Sequence, residues 1–459
     1  MNKQINLKEK IGYGFGDFAS SMFWKLFSMF LMIYYTDVVE ISPASVGTMF
    51  LLTRLWDGLN DPIMGIISDR TRTSMGKFRP YLLWVAIPFG IIGVLTFSSP
   101  DLGPSGKLIY AYVTYTLMMM VYTAINVPYS SLMGVMTSDT KERTSLASFR
   151  FLGAYSGGIF MTATVPYLLD FFRNSGSDDA QSYQFTVAIY AFVAAFFFIM
   201  TFLWTKERVK PLDEKSSIKK DLKDLARNNQ WFIMLGAGIA VLIFNSLRDG
   251  SIMYYFKYFV KDQTLTFFGD VQWDKLAGAY MTLWLVTNLL GVLLAKPLSA
   301  KFGKKTTFIG AMLVACFFSA VFYFVDPNAV SLIFGLNILI GLAAGIVLPL
   351  IWSMYADIAD YSEWKTGRRA TGLVFSSSSM SQKMGWTLGG AITGWLLAAY
   401  GFEANAEQTT ESLKGIRLMI SIYPAIGALL SALFLLMYKL TDSFMDGISI
   451  DLESRRKDQ

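Results

Sequence analysis

The chain of 459 residues is 53% hydrophobic and only 16% charged, with a formal charge of +6 and a mean hydropathy of +0.42. A soluble domain carries roughly 25% charged residues, so this composition excludes an ordinary water-soluble protein. The lack of histidine excludes His-based metal sites, catalytic triads and His proton relays, and the single cysteine, Cys316, excludes an internal disulfide.

The segment Met1–Lys10 is polar and the apolar stretch after it is long, so no cleavable signal peptide is expected. Six apolar runs follow, at 12–36, 44–68, 81–99, 108–136, 145–170 and 185–205. Six more lie at 231–260, 276–299, 306–325, 331–357, 371–401 and 418–440. A backbone crossing lipid must satisfy its own hydrogen bonds, which predicts twelve transmembrane helices and an all-α membrane protein. The charge-dense stretch 206–230 reads as a cytoplasmic linker between two six-helix bundles, 1–205 and 231–440, with 441–459 as a cytoplasmic tail. A faint repeat supports the division: SDRTRTSMGKFRP (68–80) follows the second span and SAKFGKKT (299–306) the eighth, each with Gly-Lys in its turn. Two six-helix halves in parallel repeat are the major-facilitator architecture, with substrate near the midplane.

With the N-terminus inside, 26 Lys and Arg fall in the inner segments and 6 in the outer ones. That bias puts both termini in the cytoplasm. The same scatter over short loops, with no continuous basic face, argues against nucleic acid.

Asp17, Lys25, Arg54, Asp57, Asp61, Arg248, Asp249 and Lys383 fall well inside predicted spans. At about 2.5–3.5 kcal/mol each against lipid, they must face protein or water. On the first span Asp17, Ser21 and Lys25 recur every four residues as one polar stripe. The second span holds Arg54-Leu-Trp-Asp57-Gly-Leu-Asn60-Asp61-Pro62, in which Asp57 and Asp61 share a face with Arg54 one turn earlier. Two carboxylates beside the Asn60 amide supply hard oxygen ligands for Na⁺, or a carboxyl pair that holds a proton. Arg54 is expected to contribute a salt bridge. Tyr122, Thr123 and Asn126 precede Pro128 in the fourth span, Trp352 lies in the tenth, and Ser376–Ser379, Gln382 and Lys383 in the eleventh. Such groups bind sugars, although Tyr122 or Trp352 alone reads as ordinary interhelical hydrogen bonding. Arg248 beside Asp249 reads as locally compensated.

The motifs GYGFGD (12–17), YYTDVV (34–39), RLWDGLNDPIMG (54–65), DRTRTSMGKFRP (69–80), NVPYSSL (126–132) and ADIADYSEWKTGRRATG (356–372) resemble those of the glycoside–pentoside–hexuronide:cation symporters, the melibiose-permease-like carriers. The resemblance covers nearly the whole chain. It implies cation-site roles for Asp57, Asn60, Asp61 and Thr123, sugar-pocket roles for Arg150 and Trp352, and a lysine near both ligands at Lys383. The two aspartates with which such a carrier grips its sugar align with Ser21 and Asn126, and the acid of the first span is Asp17 instead. Lys25 and Arg248 add positive charge, a pointer to an anionic sugar such as a hexuronide.

The expected function is therefore cation-coupled symport of a sugar with Na⁺ or H⁺ by alternating access, the chain acting as a monomer in lipid without a cofactor. A proton-coupled exporter or lipid carrier is the alternative, and an enzyme is disfavoured by the missing acid–base and nucleophile pairs. The charged segments 69–80 and 357–369 are expected to act as cytoplasmic gates. Asp69 would pair there with Arg70, Arg72 and Arg79, and Asp357, Asp360 and Glu363 with Lys365, Arg368 and Arg369.

Overall fold

The computed structural model describes residues 5–137, 140–209, 228–266, 269–366 and 371–457, and these are helical almost throughout. Helix α1 (Leu7–Met29) starts where the Asn6 side chain accepts the Glu9 N–H at 2.8 Å, an N-cap that satisfies one orphan donor. A short turn, Leu31–Ile33, carries it into a π-helical turn at Tyr34–Val38. Ser42 caps α2 (Pro43–Arg70), whose first residue is proline, where the missing N–H costs nothing. Helices α3 (Arg79–Trp84) and α4 (Ala86–Thr96) together form the third span, followed by α5 (Pro104–Met136), α6 (Thr140–Asn174) and α7 (Asp179–Trp204). The second series opens with α8 (Asn229–Tyr254) and a π-helical turn at Tyr255–Val260. A two-stranded antiparallel hairpin follows, β1 (Gln263–Leu265) and β2 (Gly269–Val271). Then come α9 (Trp273–Phe302), α10 (Lys304–Phe322), α11 (Val330–Thr366), α12 (Thr371–Ala399), α13 (Thr410–Ile420) with α14 (Ile422–Leu436), and α15 (Asp442–Lys457).

With α3/α4 and α13/α14 counted as one span each, the twelve expected spans are present in order. Among the described residues, seven helical stretches are apolar enough to cross a membrane by composition: α5, α7, α8 with its π turn, α9, α10, α11 and α13/α14. The others include α1, α2, α6 and α12, which carry Asp17 and Lys25, the Arg54–Asp61 group, Arg150 and Lys383. Polarity is concentrated on these spans because a charge is tolerated at membrane depth only on an inward face. Several boundaries differ from expectation. Helix α11 runs nine residues past 357, and the 441–459 tail contains α15, which buries Met445, Ile448 and Leu452 while Asp451 accepts the Trp364 indole N–H at 3.1 Å. Residues 210–227 of the linker lie outside the described residues.

The chain packs as two compact units, the first comprising Met1–Asp213, Ile252–Thr282 and Thr393–Leu413, the second Glu214–Ser251, Leu283–Ile392 and Lys414–Gln459. In unit 1, α1 and α6 cross at backbone contact. A Cβ at Gly153 would fall 2.0 Å from the Gly14 carbonyl oxygen, and one at Gly157 would fall 2.2 Å from that of Phe18. Only glycine permits that approach. Unit 2 repeats the device between α8 and α12, where Gly385 and Gly389 press on Leu242 and Ser246.

The turn repeat seen in the sequence is also structural. Gly76 (φ +117°) and Gly303 (φ +80°) both adopt the left-handed backbone that favours glycine. Just after the sixth span of each half, a carboxylate caps the helix that such a turn begins. Glu207 accepts the N–H groups of Lys77, Phe78 and Arg79 at 2.8, 2.7 and 2.9 Å, and Asp442 accepts that of Lys304 at 2.8 Å. Anions belong at helix N-termini because the exposed N–H groups point at them.

Candidate functional site

The close α1–α6 crossing sets two charges side by side in unit 1. Arg150 Nε donates to Asp17 Oδ2 at 2.6 Å and Nη2 to Oδ1 at 3.4 Å, the paired geometry that a guanidinium offers a carboxylate. The guanidinium also lies 5.2 Å from the ring centre of Tyr129. Tyr129 is fixed in turn by Tyr13: its hydroxyl donates to the Tyr13 carbonyl at 2.7 Å and the rings stack at 4.9 Å. Neither tyrosine was singled out in the sequence, although Tyr13 lies in GYGFGD and Tyr129 in NVPYSSL.

The second cluster joins α2 to α5. Thr123, 2% exposed, has its Oγ1 at 2.6 Å from Asp57 Oδ1 and 2.9 Å from Asp61 Oδ1. Asp57 is 7% exposed, and Asp61 and Asn60 are half-buried. The i,i+4 spacing on α2 aims both carboxylates at one hydroxyl of the facing helix. Arg54, 9% exposed, departs from the salt bridge expected of it: its Nε donates to the Tyr115 hydroxyl at 3.0 Å, and its guanidinium lies 4.6 Å from the Trp24 ring centre. An aromatic face and a phenol therefore hold this cation one turn from the carboxylates.

Tyr122 packs against Trp24, ring centres 5.7 Å apart, and Asn126 Nδ2 donates to the Tyr122 carbonyl at 3.0 Å, so that donor serves its own helix. Ser21 and Lys25 are half-buried along the α1 stripe. In unit 2, Trp352 and Gln382 line a small hollow with Tyr355, Ser381, Gly238 and Leu242, and Lys383 is half-buried on the next position of α12. Arg248, 1% exposed, lies among the helices of unit 2: its Nη1 donates to the Ile420 carbonyl at 2.9 Å and it lies over Trp284 at 5.1 Å. The pointer to an anionic sugar loses that residue.

Asp69 and Asp357 meet other partners than those expected of them in the gating segments. Asp69 pairs with Lys77 at 2.9 Å. Arg79 donates to the carbonyls of Phe202 (2.7 Å) and Met75 (3.1 Å), while Arg72 is exposed. Asp357 pairs with Lys304, which also approaches Asp442 at 3.6 Å, and Asp360 is half-buried. Arg368 and Arg369 lie outside the described residues. The physical reason is the capped glycine turn. It folds Lys77 back to Asp69 in one unit and sets Lys304 beside Asp357 in the other, and in unit 1 it directs Arg79 toward the end of α7.

Residues 12–442 match the family described as MFS/sugar transport protein. YagG of Escherichia coli K12, whose name marks it provisionally as a glycoside/cation symporter, is 36% identical over 99% of this chain and 97% of its own. The isoprimeverose transporter of Lactiplantibacillus pentosus is 36% identical over 97% and 91%, and a glucuronide carrier homologue of E. coli K12 is 31% identical over 100% and 98%. Among solved structures, the nucleoside transporter NupG superposes with a TM-score of 0.62 at 16% identity over 94% of this chain and all of that one, a likeness of fold. The chain therefore belongs to the MFS sugar transporters, as a relative of the glycoside–pentoside–hexuronide symporters, and is a transporter and not an enzyme.

Proposed function

We propose that this protein is a sugar:cation symporter of the bacterial cytoplasmic membrane, moving a neutral glycoside or pentoside together with Na⁺ or H⁺ by alternating access. One observation carries the reading. Thr123 Oγ1 stands within hydrogen-bond distance of Asp57 Oδ1 and Asp61 Oδ1 at once. Three hard oxygens from two helices thus converge, two of them on carboxylates that share a single hydroxyl proton. A small cation bound by those oxygens, or a proton shared by the acids, suits that arrangement.

The Asp17–Arg150 pair offers acceptor oxygens and guanidinium donors to sugar hydroxyls beside the face of Tyr129. Trp352, Gln382 and Lys383 are the groups we assign to the sugar in unit 2. A neutral sugar is favoured over a uronide because Arg150 is already matched by Asp17 and the pair brings no net charge. Identity to the isoprimeverose transporter, 36%, also exceeds that to the glucuronide carrier homologue, 31%. Cation binding raises sugar affinity, and by linkage the sugar raises cation affinity by the same factor. The charge bias of the loops puts both termini in the cytoplasm.

The test is uptake of a labelled sugar panel into vesicles under an imposed Na⁺ or H⁺ gradient. Accumulation of a neutral glycoside that collapses with one gradient is expected. Accumulation indifferent to both gradients would remove the coupling role of Asp57 and Asp61.

A further inference from the structure

At the end of unit 1 remote from the Lys- and Arg-rich segments, the two π-helical turns meet. Each is closed by a backbone bond spanning five residues, Val39 N–H to the Tyr34 carbonyl at 3.0 Å and Lys261 N–H to that of Phe256 at 2.7 Å. π turns are rare and gather at functional positions. The two share a pattern, Tyr34-Tyr35-Thr36-Asp37 and Tyr254-Tyr255-Phe256-Lys257, so Asp37 and Lys257 stand at matching places in the two halves of the repeat.

They are also each other's partners. Lys257 Nζ lies 2.6 Å from Asp37 Oδ2, and Asp37 is 7% exposed. The Tyr258 hydroxyl donates to the same carboxylate, the Thr36 hydroxyl lies 2.6 Å from Oδ1, and Thr36 also meets the Tyr254 hydroxyl at 2.7 Å. Asn405, in the segment between α12 and α13 with φ +56°, completes the cluster. Its Oδ1 accepts Lys257 Nζ at 2.7 Å, its Nδ2 donates to the Asp37 carbonyl at 2.6 Å, and its N–H donates to the Tyr258 hydroxyl at 3.0 Å.

A buried ion pair gives little net stability, because desolvation offsets its attraction, yet loss of one partner is costly because a lone charge stays behind. An interaction strong only while both partners meet behaves as a latch. We propose that Asp37 and Lys257, tied in by Tyr258 and Asn405, form the latch that closes the outer end of the carrier and parts once in each transport cycle. The latch rests on the alternating-access reading given above.

The test uses a protein with Cys316→Ser and a reporter at Ser21→Cys, sixteen residues before Asp37 and so about 24 Å deeper along a helix. A membrane-impermeant maleimide is applied to intact cells, with the amount of protein in the membrane measured for each variant. Asp37→Asn and Lys257→Met are each expected to raise the labelling rate about tenfold, the factor that follows from losing one charge-assisted hydrogen bond. The double variant should label no faster than the faster single, and Lys257→Arg should stay near the parent. Parent-like labelling in both single variants overturns the latch, and rates that multiply in the double variant overturn the pairing. If Asp37→Asn fails to insert, the contrast of Lys257→Met with Lys257→Arg decides alone. Labelling that follows this pattern, when the chain with Ser21 intact carries no sugar of the panel, would sink the symport reading and leave the latch standing.

Discussion

Thr123→Val is the sharpest perturbation of the proposed cation site. Thr123 is 2% exposed and its hydroxyl bridges Asp57 and Asp61 at 2.6 and 2.9 Å. Valine keeps the shape and removes one of three converging oxygens. A hydrogen bond to a charged group is worth about 1.5–3 kcal/mol, and each 1.4 kcal/mol is about a factor of ten in affinity. The cation concentration for half-maximal uptake should therefore rise about 10- to 150-fold at fixed sugar concentration. Thr123→Ser keeps the oxygen and should stay within a few-fold of the parent. Sugar affinity at limiting cation should weaken in step, since coupling is reciprocal. The assay is initial uptake into vesicles against Na⁺ or H⁺ concentration. An unchanged activation constant in Thr123→Val, or a serine variant as impaired as the valine one, would refute the three-oxygen site.

Asp57→Asn and Asp61→Asn should abolish gradient-driven accumulation while sugar exchange at equal concentrations survives in part; full accumulation by either would detach that acid from coupling. Asp17→Asn leaves the Arg150 guanidinium without its counter-charge and should weaken sugar binding about tenfold or more by equilibrium dialysis, whereas unchanged binding would move the sugar elsewhere. Gly153→Val drives a side chain into the Gly14 carbonyl and should sharply lower the yield and melting temperature of purified protein; parent-like values would contradict the backbone contact of α1 with α6. Lys25→Gln should affect uptake of a neutral glycoside and of a hexuronide alike. Selective loss of the hexuronide would make Lys25 the partner of a substrate carboxylate and remove the neutral-sugar reading.

The span count was legible because lipid imposes a rule on every backbone group that crosses it, and composition alone reveals those segments. Helix ends were less so. Helices α6 and α11 extend beyond their apolar runs because helix formation does not stop where hydrophobicity does. The Asp57–Asp61 pair was legible from i,i+4 spacing, but Thr123 read only as one polar group of the fourth span, and its place beside the pair came through the family resemblance, since it lies on another helix. The Tyr13–Tyr129 contact joins residues 116 apart and leaves no local pattern. The partners of Asp69 and Asp357 were missed for a related reason. Charge lists show which partners are available, but the positive φ of Gly76 and the carboxylate of Glu207 decide which way the turn points. Glu207, in the linker, was counted as one charge among many.

The repeat explains which parts of the carrier are mechanical and which are chemical. Glycine turns capped by Glu207 and Asp442, glycine crossings at Gly153 and Gly385, and the paired π turns recur in both halves. The proposed cation site does not. With Gly76 aligned on Gly303, Asp57 and Asp61 fall on Trp284 and Asn288. Trp284 lies beneath Arg248, and Asn288 Nδ2 donates to the Trp284 carbonyl at 2.8 Å while a Cβ on Gly345 would fall 2.1 Å from the Asn288 carbonyl oxygen. In the second half those positions serve the packing of α9 against α11. The duplicated frame thus keeps its glycine crossings and caps in both copies, and the carboxylates we assign to the coupling cation stand in one.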